Sequence, residues 1–91
     1  MKFRITKHAT ASPPDDAIDL LTSRIGRSRE DVRFARVGSE IRANLDRDEP
    51  VAMTNDERTD IGRRAVLGIV EEVCERAPEL KLEWFAVSAA R

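Results

Sequence analysis

The 91-residue sequence predicts a single α+β domain ordered as strand, helix, two-stranded hairpin, helix, strand. Three observations carry that expectation. Gly38-Ser39 forms a two-residue turn between two alternating segments. Two amphipathic stretches follow helix-capping residues and stop at Gly26 and Pro78. Alternating apolar residues recur near both ends of the chain, over residues 2–8 and 80–87.

In residues 2–8, Phe3 and Ile5 point one way and Lys2, Arg4, Thr6 and His8 the other, as in a half-buried strand. Ser12, Pro13 and Asp15 then predict a helix start, with Ser12 as N-cap and Asp15 in the capping-box position. Ala17, Ile18, Leu21 and Ile25 make the apolar arc of that helix, Leu20 lies at its margin, and Gly26 ends it as a left-handed cap.

The hairpin is the most informative stretch. A Gly-first turn suits type II′ and pairs Val37 with Glu40, Arg36 with Ile41, Ala35 with Arg42, Phe34 with Ala43, Arg33 with Asn44 and Val32 with Leu45. Opposed residues share a face. One face collects Val32, Phe34, Ile41, Ala43 and Leu45; the other collects Arg33, Arg42, Asn44 and Glu40. Arg36 is the misfit on the apolar side, near enough to the turn for its stem to reach solvent. Phe34, Val37, Ile41 and Leu45 are also spaced as in a helix, but Gly38-Ser39 would interrupt it.

A charged connection follows over residues 46–53. Thr54 and Glu57 form a second capping box, and a long helix runs to about Ala77. Its apolar arc holds Gly62, Ala65, Val66, Ile69, Val70, Val73 and Ala77, with Leu67 outside it among charges. In the last strand Leu80, Leu82 and Trp84 read as inward, which puts Phe85 and Val87 on the opposite face. Either a bulge shifts that parity or the opposite face is partly covered.

This order of elements in one small chain predicts a ferredoxin-like βαββαβ sandwich, a four-stranded antiparallel sheet with two helices on one face. The other face stays open. Fold alone implies no activity.

Composition narrows the function. The net charge is −1, from 16 basic and 17 acidic residues, so the whole domain is no electrostatic trap for nucleic acid or anionic lipid. Cys74 is the only cysteine, which excludes an internal disulfide. No apolar run approaches a membrane span or a signal peptide, and a cytoplasmic location is expected.

The expected function is an interaction or regulatory module acting through its open sheet face or by homodimerisation. Val37, Phe85, Val87 and Leu67 are the candidate partner surface, as apolar residues placed outside the core. An alternative is single-stranded nucleic-acid binding through Lys2, Arg4, Arg33 and Arg42. It ranks lower because the central outward positions, Arg4, Thr6, Arg42 and Asn44, include no aromatic on which bases stack. A small-molecule effector site at the sheet edge or between subunits is the third reading. No catalytic residue, cofactor or metal is expected. His8, Ser12 and Asp15 can be written as a nucleophilic set, but Ser12 and Asp15 already have capping roles. Asp46, Asp48 and Glu49 lack the glycine and glutamate spacing of a calcium loop.

Overall fold

The computed structural model describes residues 1–29, 31–46 and 53–90. Residues 47–52 of the expected charged connection lie outside them. Five strands and two helices are present among the described residues: β1 (Lys2–Lys7), α1 (Ala17–Ile25), β2 (Ser28–Arg29), β3 (Val32–Val37), β4 (Glu40–Leu45), α2 (Asn55–Arg76) and β5 (Phe85–Ala89). The strands form one sheet in the order β2-β3-β4-β1-β5, and every pairing is antiparallel. The expected four-stranded sheet therefore has a fifth member. β2 is a two-residue strand that extends the β3 edge right after α1, too short to leave an alternating signature.

The hairpin register is the expected one, from Val37 opposite Glu40 to Val32 opposite Leu45. Gly38 has φ +61° and Ser39 does not have a positive φ, as a type II′ turn requires and a type I′ turn does not. Arg36, on the inner side, reaches back to an ion pair with Asp19 of α1, and its Nε donates to the Gly38 carbonyl.

One face of the sheet is buried. Phe3 and Ile5, Val32 and Phe34, Ile41, Ala43 and Leu45 join the apolar arcs of both helices in a single cluster. The α2 boundaries follow the capping chemistry. Thr54 Oγ1 accepts from the Glu57 N–H at 3.2 Å, and the helix ends just before Pro78. Gly62 sits directly over the Phe3 ring, where a Cβ would lie 2.6 Å from Phe3 Cζ.

Three local expectations are corrected. α1 starts at Ala17 with Asp16 as N-cap, not at Ser12. Ser12 instead is left-handed (φ +46°, ψ +54°) and closes a single 3₁₀ turn over Ala9–Ala11. Pro14 disfavours the helical conformation at Pro13, which delays the helix, and the Pro14 carbonyl begins it by accepting from Ala17 N–H. Gly26 has φ +80° but ψ −169°, an extended conformation that only glycine adopts readily, not a left-handed cap.

The third correction concerns the last strand. Leu80 is buried as expected, but Leu82–Trp84 form a 3₁₀ turn and the strand begins at Phe85. The turn resets the alternation. Phe85 pairs with Lys7 and Val87 with Ile5, so both side chains point to the helices and are buried.

Candidate functional site: a basic groove on the open sheet face

The register fixes which side chains meet on the uncovered face. Across the strands one row reads Ser28, Arg33, Asn44, Lys2. The next reads Ala35, Arg42, Arg4, Ser88. A third holds Val37 and Glu40, with Thr6 opposite Ala86. Adjacent rows are separated by about 7 Å along the strands and neighbouring strands by about 5 Å. Lys2, Arg4, Arg33 and Arg42 therefore surround Asn44 within a patch about 10 Å across.

A groove of about 350 Å³ opens here, lined by Lys2, Arg33, Phe34, Ala35, Arg42, Ala43 and Asn44. That volume is at the lower end for a ligand site. Among the described residues of these rows stand four cations and one carboxylate, in a chain whose net charge is −1. The rest of the molecule is correspondingly acidic.

Arg4 and Arg42 are direct cross-strand partners. Like charges placed so are destabilising. Glu40 offsets part of that repulsion, with its Oε2 3.8 Å from Arg4 Nε and 3.2 Å from Arg42 Nε. Neither approach has hydrogen-bond geometry, and all three of these atoms are buried. The contact Arg42 makes with hydrogen-bond geometry runs from Nη2 to Glu40 Oε1, at 3.5 Å. One carboxylate between two guanidiniums leaves the group cationic. Arg33 reaches Asp46 at 3.6 Å, but both side chains are largely exposed and such a pair contributes roughly 0–1 kcal/mol.

The expected partner-surface residues do not come together. Phe85 and Val87 are core residues, Leu67 is half-buried against the core, and Val37 remains exposed at one end of β3. The open face thus loses most of its expected apolar area while keeping its four cations. The aromatic residues stand elsewhere: Phe3, Phe34 and Phe85 are buried, and Trp84 packs edge-on against Phe85.

The other candidate groups also separate. The His8 ring meets Thr10 Oγ1 at 2.8 Å rather than Ser12 or Asp15. Cys74 is half-buried against the core, and desolvation raises its thiol pKa. Among the described residues no cluster of His, Cys, Asp and Glu has a metal-binding arrangement, and no helix is long and apolar enough to cross a membrane.

A second cavity of about 140 Å³ escaped sequence reasoning. Arg24, Arg29 and Arg76 come from three elements to line it beside Val73 and Ala77. Each already faces a carboxylate: Arg24 meets Glu79, and Arg29 and Arg76 share Glu72. Its three cations meet two carboxylates, whereas on the open face Lys2, Arg4, Arg33 and Arg42 stand against Glu40 and Asp46.

Comparison of the chain with protein-family models, with curated proteins and with solved structures finds no match.

Proposed function

We propose that this domain is a regulatory binding module whose open sheet face holds a small phosphate-bearing anion. The observation that carries the reading is the cross-strand pair Arg4–Arg42, with Lys2 and Arg33 around the same groove. A thin-cored domain gains no stability from juxtaposed arginines. A ligand bearing several negative charges relieves that repulsion and supplies acceptors for the guanidinium donors. The groove suits a compact ligand over a long single strand, because the face offers no aromatic platform.

The fold reading that goes with it is a ferredoxin-like sandwich extended by the short β2 strand. Its support is the order β5-β1-β4-β3, with the first strand between the last and the second hairpin strand. A reducing cytoplasmic setting suits the lone cysteine.

Thermal unfolding with tripolyphosphate as the probe tests the function. A ligand at about 100 times its Kd adds about 2.7 kcal/mol. For a domain of this size that raises Tm by roughly 10–20 °C. The shift is expected to shrink with added salt and to disappear in Arg42→Ala. No shift at low salt, or an equal shift in Arg42→Ala, contradicts the reading.

A further inference from the structure

The second inference concerns the β5 edge and stands independently of the ligand. β5 is the last strand of the sheet, paired only with β1 among the described residues. His8 donates its N–H to Trp84 O at 2.7 Å, and Ala90 donates to Lys2 O at 2.9 Å. Both bonds lie on the register that pairs Arg4 with Ser88 and Thr6 with Ala86. Hydrogen-bonded and non-bonded pairs alternate along an antiparallel ladder. Ala86 and Ser88 therefore turn their N–H and C=O groups to β1, while Phe85, Val87 and Ala89 turn theirs to the free edge. The Phe85 N–H is already taken by the Leu82 carbonyl.

Exposed edges are usually blunted by short length, charge or proline. The β2 edge is two residues long. The β5 strand, Phe-Ala-Val-Ser-Ala, has five residues and none of these devices. We propose that a second copy of this chain pairs with it, antiparallel, about a two-fold axis at Val87. The outward groups fit that axis. The two Val87 residues exchange N–H···O bonds, and each Ala89 N–H meets the Phe85 carbonyl of the other copy. The one outward donor left over, the Phe85 N–H, is the one with an internal partner. No charged side chain stands on either strand to repel its copy. The axis is perpendicular to the sheet, so one ten-stranded sheet results, with both basic grooves on the same side. The contact is only about 17 Å long, so the dimer is weak.

Sedimentation velocity over a concentration series, with hydrogen exchange of the same protein, tests this. The wild-type chain is expected to shift from monomer to dimer, and the Val87 and Ala89 amides to gain protection as concentration rises. Ala89→Pro removes an outward N–H that the monomer does not use, so it is expected to keep native circular dichroism and remain monomeric. A wild-type monomer at every concentration overturns the proposal. So does exchange at Val87 and Ala89 that ignores concentration, or a natively folded Ala89→Pro that dimerises as before.

Discussion

Gly62 and Gly68 lie on the same helix, but only Gly62 has a steric reason to be glycine. A Cβ at Gly62 would meet Phe3 Cζ at 2.6 Å and Cε2 at 2.9 Å. Phe3 is buried in the core and cannot swing aside. A Cβ at Gly68 would meet nothing within 4 Å. Gly62→Ala is therefore expected to destabilise by roughly 1–3 kcal/mol through overpacking. Gly68→Ala is expected to stabilise by up to about 1 kcal/mol through helix propensity. Urea denaturation of both variants checks the pair, and a stabilised Gly62→Ala would contradict the placement of α2 over β1. The arginines pose a different question at this scale. Arg36 and Arg42 are both half-exposed sheet residues, yet Arg36 is matched by Asp19 of α1, whereas Arg42 shares Glu40 with Arg4. A one-to-one pair is structural. Two cations to one carboxylate, with Lys2 and Arg33 on the same groove, leave a positive charge that an incoming anion offsets.

At the scale of the element, the hairpin and the last strand show where local sequence suffices. Gly38-Ser39 dictates both turn type and register, so the separation of Arg33, Arg42 and Asn44 from Phe34, Ile41 and Ala43 was legible in the residues alone. The start of α2 was legible for the same kind of reason, since Thr54 and Glu57 carry its cap within one turn. The last strand was not. Alternation assumes an extended backbone throughout, and the 3₁₀ turn at Leu82–Trp84 breaks that assumption without a glycine or proline to announce it. The side of Phe85 changes as a result, and with it the meaning of a substitution. On an exposed face, Phe85→Glu would leave the fold intact. Phe85 is 5% exposed, so Phe85→Glu is expected to bury a carboxylate among apolar side chains. The loss should be at least about 3–5 kcal/mol. A domain this small has roughly 5–14 kcal/mol in total. Circular dichroism should show lost helix or a sharply lowered Tm, and unchanged unfolding would return Phe85 to the surface.

At the scale of the molecule, the sheet sorts charge. The face against the helices is apolar, the open face carries Lys2, Arg4, Arg33 and Arg42 against Glu40 and Asp46, and the remaining surface holds most of the acidic residues. Net charge alone hid this, because −1 averages over both sides. The four cations could be named from the sequence, since strand alternation puts Lys2, Arg4, Arg33 and Arg42 on one face. Their convergence around Asn44 could not, because it depends on the register of β1 against β4, which no turn encodes. The same non-local pairing places Arg4 against Arg42.

Two-dimensional ¹H–¹⁵N NMR titration with tripolyphosphate tests the role of that face most directly. Amide shifts are expected at Lys2, Arg4, Arg33, Arg42 and Asn44, and should reverse with added salt. An unperturbed spectrum at low ionic strength, or shifts centred instead on Arg24, Arg29 and Arg76, would contradict the assignment of the open face as the binding site.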